Sequence, residues 1–310
     1  MKRIETKNGT PVSRLGFGAM QFGRTADEHS ARKMFDVCIE AGINLFDTAF
    51  SYTGGESERI LGTLVGPVAD EILIASKAPN DRPPSAENLR ASYDESRIRL
   101  GIDCIDLYYL HRFDSETEME ETFGTLAEMQ SEGKIRHIGV SNFAAWQIMK
   151  AQAVCRKFGT QIDVCQPMYN LVKRQVEVEI LPACEDQDIA ICPFSPLGGG
   201  LLTGKYADGA AGRLKDDSTY AARYREAWMH EAASGLSALA ESSAIPAITL
   251  AVAWVARHPA VTATLISARN ASQLQPSLDA LNLELPDDLY AEITALSLTP
   301  APATDRSEET

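Results

Sequence analysis

Basic residues are in short supply: 29 lysines and arginines face 43 aspartates and glutamates, leaving a net charge of −14 at neutral pH. Such a chain repels phosphate backbones and anionic lipid. No basic cluster stands out against the deficit, so nucleic-acid binding is not expected. Long apolar runs are missing as well; nothing reaches the ~18 residues a membrane helix needs, and no membrane span is expected. The opening Met1-Lys2-Arg3-Ile4-Glu5-Thr6 is basic without an apolar stretch behind it, which predicts no secretory signal. The six cysteines (Cys38, Cys104, Cys155, Cys165, Cys184 and Cys192) form no CxxC pair, and most sit inside apolar runs. They read as reduced core thiols of a cytoplasmic protein rather than a disulfide framework. Five scattered histidines offer no HExxH or Cys/His spacing, so no metal site is expected. What remains, 45% hydrophobic and 23% charged residues, matches ordinary globular chains and excludes wholesale disorder or collagen-like repetition.

Short, β-rich apolar runs recur through the 310 residues: Val12–Met20, Ile43–Ala49, Glu71–Ala78, Ile105–Arg112, Ile135–Asn142, Asp163–Asn170, Ile189–Leu197 and Thr262–Ala268. Several, such as Ile-Asp-Leu-Tyr-Tyr-Leu, are apolar almost throughout, as parallel strands covered on both faces must be. Helical segments separate them. Met34, Val37, Cys38 and Ala41 form one stripe with Gly42 as its stop, and a second helix opens at Ser85 and ends near Gly101. Another runs from about Glu118 to Glu132 before Gly133, and one starts after Asn142 as N-cap, with Trp146, Met149 and Lys150 along one side. Most intervals are about 25 to 30 residues, one βα unit each; the seventh-to-eighth interval is far longer. The prediction is a single (β/α)₈ barrel over residues 1–298, with a loop and helical insertion between strands seven and eight. Residues 299–310, polar and Pro-rich, read as a flexible tail. An open doubly wound sheet is the alternative, but Leu15-Gly16-Phe17-Gly18-Ala19-Met20 lacks both the third glycine of that fold's fingerprint and a helix directly after it.

In a barrel, chemistry gathers at the C-terminal ends of the strands. Asp47 ends the second run, Tyr52 follows in its loop, Lys77 ends the third and His111 the fourth. Singly these are a turn cap, a surface tyrosine, a solvated strand end and a core histidine. Together, from three adjacent strands, they make a tuned acid. A phenol with a pKa of about 10 donates poorly at neutral pH unless a neighbouring ammonium stabilises its phenolate. Lys77 supplies that charge, Asp47 holds the lysine, and a neutral His111 orients a carbonyl oxygen. The set holds no nucleophile and no metal ligands, so the attacking group must come from a cofactor, hydride being the natural candidate.

The chain resembles the aldo-keto reductases. The resemblance is carried by Arg14-Leu15-Gly16-Phe17-Gly18, Asn44-Leu45-Phe46-Asp47-Thr48-Ala49, Gly55-Glu56-Ser57-Glu58, Leu110-His111-Arg112, Gly139-Val140-Ser141-Asn142-Phe143, Gln166-Pro167-Met168-Tyr169-Asn170, Ser195-Pro196-Leu197 and Ala268-Arg269-Asn270, in order over nearly the whole length. It implies a (β/α)₈ barrel, a catalytic tetrad of Asp47, Tyr52, Lys77 and His111 with Tyr52 as general acid, and a nicotinamide cofactor bound extended without a Rossmann domain. Ser141, Asn142 and Gln166 would hold the carboxamide and Phe194 would stack on the ring. Ser195, Leu197, Gly199, Leu201 and Lys205, in and before the segment Gly198-Gly199-Gly200-Leu201-Leu202-Thr203-Gly204-Lys205, would pass over the pyrophosphate. Ser267, Arg269 and Gln273 would serve the adenosine end, where Arg269 favours NADP(H), with NAD(H) the alternative. Thr53 stands where glycine is common in the family, Phe113 where proline is usual, and Ser277 where an asparagine commonly assists adenine binding.

The expected activity is interconversion of aldehydes or ketones with alcohols by hydride transfer from or to the nicotinamide, with a small-molecule carbonyl or alcohol as partner. The rivals are an NAD-dependent sugar or alcohol dehydrogenase of the same fold, a slow redox-sensing regulatory subunit, and a metal-dependent barrel hydrolase, the last disfavoured by the absence of paired histidines after the first strand. The substrate pocket is expected from Met20, Phe22, Phe50, Arg112, Phe113 and parts of the Tyr206–His230 stretch, where Arg223 and Arg225 join Arg112 as a hint of an anionic or polyhydroxylated substrate.

Overall fold

The fold was obtained as a computed structural model that describes residues 4–206, 212–306 and 308. Eight strands alternate with helices: β1 (Leu15–Gly18), β2 (Leu45–Asp47), β3 (Leu73–Lys77), β4 (Ile105–Leu110), β5 (Ile135–Ser141), β6 (Val164–Gln166), β7 (Ala190–Ile191) and β8 (Thr264–Ile266). All paired neighbours are parallel, in the order β7-β6-β5-β4-β3-β2-β1-β8. The two ends of that order meet. The amides of Thr262 and Leu265 donate to the carbonyls of Ile191 and Pro193 at 2.8 and 2.9 Å, which closes a (β/α)₈ barrel.

The strands alternate with period two between two cores. Leu45, Leu73, Leu107, Tyr109, Val164 and Ala190 fill the lumen, while Phe46, Ile74, Tyr108, Cys165 and Ile191 face the surrounding helices. Burial on both sides is why these runs carry almost no polar residues. Tyr109 lies across Gly139, where a Cβ would meet its ring at 2.3 Å, so β5 needs glycine at that point. Below the lumen the chain start forms a small hairpin: Glu5 bridges Pro11, the Val12 amide donates to the Ile4 carbonyl at 3.1 Å, and Ile4 plugs the barrel floor.

The helices are α1 (Glu28–Glu40), α2 (Glu56–Val65), α3 (Ala86–Leu100), α4 (Met119–Ser131), α5 (Ala145–Lys157), α6 (Ile180–Asp186), α7 (Arg213–Asp216), α8 (Ser218–Arg223), α9 (Ala227–Ser243), α10 (Ala247–Arg257), α11 (Ala271–Leu278) and α12 (Asp287–Ala295). Asp27 and Ser85 cap α1 and α3 through the amides of Ser30 and Asn88. Helices α7 to α10 occupy the long connection between β7 and β8. Observed strands are shorter than the apolar runs, partly because Pro167 and Pro193 have no amide to offer the ladder and stand just past β6 and β7.

One element start is corrected. α5 begins at Ala145, with the Ala144 amide donating to Gln147 Oε1 at 2.7 Å. Asn142 is no cap; it takes a left-handed φ of 57° and turns its amide elsewhere. Trp146 and Met149 face solvent, while Ile148, Ala151, Gln152 and Cys155 face inward. Residues 299–306 form no helix or strand, and residues 307, 309 and 310 of the expected tail lie outside the described residues. Among the described residues no single helix is long and apolar enough to cross a membrane.

Candidate active site

Asp47 and Lys77 close their strands and His111 follows β4 directly, so parallel pairing sets all three at one rim of the barrel. Lys77 is fully buried. Its ammonium pairs with Asp47 Oδ1 and donates to the Thr48 carbonyl at 2.8 Å. The other Asp47 oxygen accepts from Gln166 Nε2 at 2.8 Å, so the carboxylate ties β3 to β6 across the lumen. Burial alone would lower the Lys77 pKa, but Asp47 and Tyr52 more than offset it, and the amine stays charged.

Tyr52 reaches the same point from a tight turn, Tyr52–Gly55, that precedes α2. The Lys77 nitrogen stands 5.0 Å from its ring centroid. The His111 ring meets it edge-on at 5.7 Å and 76°. Burial raises the Tyr52 pKa, the Lys77 ammonium opposes it, and the net direction is up. That corrects the simple expectation of an acidified phenol: the ammonium limits the rise without reversing it. His111 is pushed the other way, down to about 3, by burial first and then by Lys77 and Arg112. It is therefore neutral at physiological pH, and its Nδ1 is buried without a hydrogen-bond partner.

The turn carrying Tyr52 is strained and braced. Thr53, at the usual glycine position, has φ 53°, a costly region for a β-branched residue. Its hydroxyl bonds the Phe22 carbonyl at 2.9 Å and accepts from the Ser57 amide at 3.0 Å. Ser57 in turn donates to the Ala19 carbonyl, and buried Glu58 accepts from Ser76 at 2.6 Å and Arg99 at 3.1 Å. The Gly-Glu-Ser-Glu motif is thus the scaffold of the tyrosine turn.

Above this group opens a cleft of about 890 Å³ that extends from the tetrad to the start of α11. Ser141, Asn142, Gln166 and Phe194 line its inner part. Asn142 donates to the His111 carbonyl at 2.9 Å and to Ser141 Oγ at 3.1 Å, which leaves its own Oδ1 to accept. Ser195, with φ 63°, Leu197, Gly199 and Lys205 line the middle. Asn170 holds that stretch by donating to the Ser195 carbonyl at 2.9 Å, a role for the Gln-Pro-Met-Tyr-Asn motif that the sequence did not disclose. Gly198, Gly199 and Gly200 all have left-handed φ, and a Cβ on Gly199 would lie 2.7 Å from the Tyr220 ring. Ser267, Arg269 and Gln273 line the far end, where Asn270 caps α11 through the Gln273 amide at 3.0 Å. A long cleft with amide donors and acceptors at one end, a glycine cradle in the middle and an arginine before a helix start at the other fits an extended dinucleotide.

Several expected residues stand elsewhere. Met20 lines the cleft, but Phe22 is buried in the outer core against Phe17. Phe50 is clamped between the guanidinia of Arg99 and Arg82, at 4.5 and 5.3 Å. Phe113 packs edge-on against Phe143 and Trp146. None of the three rings lines the cleft, each packing against apolar or cationic neighbours instead, so the expected aromatic wall is not found there. Arg112 lines a separate cavity of about 220 Å³ that shares His111 with the cleft. Leu201 turns into the core and Ser277 is buried, whereas Arg225 is exposed and paired with Glu226. From the 206–230 stretch, Arg213, Tyr220 and Arg223 do line the cleft; residues 207–211 lie outside the described residues. Gln21, Arg213 and Tyr220 were not singled out from sequence. Gln21 adjoins the strand-end residue Met20, and the other two lie on the short helices α7 and α8, which have no clear periodicity.

A family model described as the aldo/keto reductase family matches residues 14–298. The chain is 31% identical over 304 residues to "Uncharacterized oxidoreductase YrpG" of Bacillus subtilis, covering 91% of each. It is 31% identical to "Probable voltage-gated potassium channel subunit beta" of Arabidopsis thaliana, over 89% of this chain and 90% of that one. It is 35% identical to human "Aldo-keto reductase family 7 member A3", over 83% and 80%.

Proposed function

From the premise that this chain belongs to the aldo/keto reductase family of oxidoreductases, we propose that it interconverts aldehydes or ketones with alcohols, using NADP(H) in preference to NAD(H). The carrying observation is the buried Lys77–Asp47 pair beneath the Tyr52 phenol, beside a neutral His111 with an unpartnered nitrogen. A reduced nicotinamide, when bound, supplies hydride to the carbonyl carbon. The chain does the rest. His111 hydrogen-bonds the carbonyl oxygen and orients it toward Tyr52, whose hydroxyl gives up its proton as negative charge builds on that oxygen. Lys77 stabilises the phenolate left behind, and Asp47, held by Gln166, keeps the ammonium in place. Ser141, Asn142 and Gln166 would hold the carboxamide, with Phe194 against the ring. Arg269, with a planar fork suited to phosphate, supports the preference for a 2′-phosphorylated cofactor.

The test is NADPH oxidation over a panel of aldehydes, run in parallel with NADH. Tyr52→Phe is expected to lose about 10²–10⁴-fold in kcat, the scale of general-acid catalysis, with cofactor binding by fluorescence retained. Undiminished turnover in that variant overturns the tyrosine's role, and equal rates with NADH overturn the cofactor preference. The relative named as a channel subunit favours a second reading, a slow redox-sensing protein. Turnover slower than about one per minute across the whole panel would favour it over metabolic reduction, whose rates typically exceed about one per second.

A further inference from the structure

Three residues in a row after Tyr52 have left-handed φ: Thr53 at 53°, Gly54 at 64° and Gly55 at 90°. Glycine enters that region freely, whereas a β-branched residue is strained there. Thr53 is also the one member of the three with a side chain, so only from there can the turn anchor itself. Its hydroxyl serves three backbone groups. The proton lies within reach of the carbonyls of Phe22 at 2.9 Å and Tyr52 at 2.7 Å, while the oxygen accepts from the Ser57 amide at 3.0 Å. Strain of this kind persists only where its surroundings impose it, and it gathers at working sites.

The anchor point is itself immobile. Phe22 belongs to the loop between β1 and α1, where the Ala19 amide donates to the Asp47 carbonyl at 2.8 Å and the Phe22 amide to the Ala19 carbonyl at 2.9 Å. The Gln21 carbonyl accepts from the amides of Arg24, Thr25 and Ala26 at 3.1, 3.1 and 3.0 Å. Gly23 docks on α2 so closely that a Cβ would meet Glu56 Cγ at 2.6 Å. Met20 of the same loop lines the cleft. We propose that Thr53 is a positioning residue of the reaction: its hydroxyl pins the Tyr52 turn to the β1–α1 loop and so fixes the phenol between Lys77 and the cleft. This role rests on the reductase reading above and adds a residue outside the tetrad. A misplacement of about 1 Å at a reacting group can cost 10²-fold in rate, which gives the brace a purpose worth its strain. With glycine at this position, the turn would be three glycines in a row, free to carry the phenol away from the lysine.

The experiment follows a single turnover of the NADPH-loaded, full-length protein with whichever aldehyde of the panel the wild type reduces fastest. Its first-order rate constant does not depend on how much of a variant folds. Thr53→Gly suits the backbone but lacks the hydroxyl, whereas Thr53→Ser keeps the hydroxyl in the less suitable residue. Thr53→Gly and the isosteric Thr53→Val should both slow the step by about tenfold, and Thr53→Ser should stay within about threefold of the wild type. NADPH affinity, measured by fluorescence, should change by less than about twofold in all three, because the dinucleotide cleft draws on other strands. A threonine that merely stabilised the turn would lower the thermal midpoint and leave the rate constant alone. Thr53→Gly as fast as the wild type, or Thr53→Ser as slow as Thr53→Gly, overturns the role of the hydroxyl and leaves the reductase reading standing. A wild type that oxidises NADPH with no aldehyde of the panel overturns the reductase reading and this role with it.

Discussion

A neutral imidazole sealed beside an ammonium is a liability in acid. His111 titrates at about 3 in the folded protein, held down by burial, Lys77 and Arg112, against about 6.5 in an unfolded chain. Below about pH 6.5 the unfolded state therefore takes up a proton that the folded state refuses. Stability contributed by the neutral form is full above that pH and declines until the folded pKa is reached, by at most about 1.4 kcal/mol per unit. His111→Gln removes this contribution, so its urea midpoint should fall less steeply between pH 6 and 4 than that of the parent. Parallel slopes would show that the histidine is not the group responsible. The positions of Asp47 and Lys77 at strand ends, of His111 just past one and of Tyr52 in a following loop were legible in the sequence, because the apolar runs stop there. The direction of the Tyr52 shift was not: desolvation depends on what covers the ring, and no residue spacing encodes that. For the same reason Phe22, Phe50 and Phe113 were misplaced, since a loop aromatic turns toward whichever neighbours the fold supplies.

Among the elements, the stretch Gly198–Thr203 is the most exacting. Gly199 combines φ 66° with a Tyr220 ring carbon only 2.7 Å from where a Cβ would stand. Gly199→Ala should displace α8 and raise the cofactor KM by about tenfold, at a stability cost of about 1 kcal/mol for the left-handed alanine. Titrating NADPH into the variant at saturating aldehyde checks this, and an unaltered KM would mean that the cradle is not needed. All eight strands had been visible as apolar runs, since coverage on both faces removes polar residues. Their ends were overdrawn, because hydrophobicity continues past the point where Pro167 and Pro193 interrupt the ladder. Asn142 looked like a cap because asparagine serves both helix starts and left-handed turns; only the backbone shows that it makes the turn and braces His111.

At the level of the molecule, the floor of the barrel and its working rim are separate. Ile4 is 1% exposed and packs with Leu45, Leu73 and Leu107 at the closed end. Ile4→Ala should cost about 2–4 kcal/mol and lower the thermal midpoint while substrate and cofactor KM stay as they were. A shifted KM with an unmoved midpoint would contradict that separation. The barrel itself was legible from the count and spacing of runs, whereas the floor hairpin was passed over: Asn8-Gly9 marks its turn, but the arms beside it are too short to stand out as strands. The division has a longer reach. Asp47, Lys77 and His111 are held by bonds among β2, β3, β6 and the end of β5, whereas Lys205, Arg213, Tyr220 and Arg223, which line the cleft, all ride on one connection between β7 and β8. Lineages are therefore free to redraft that single passage, trading one ligand's tail for another, and inherit the reaction centre untouched.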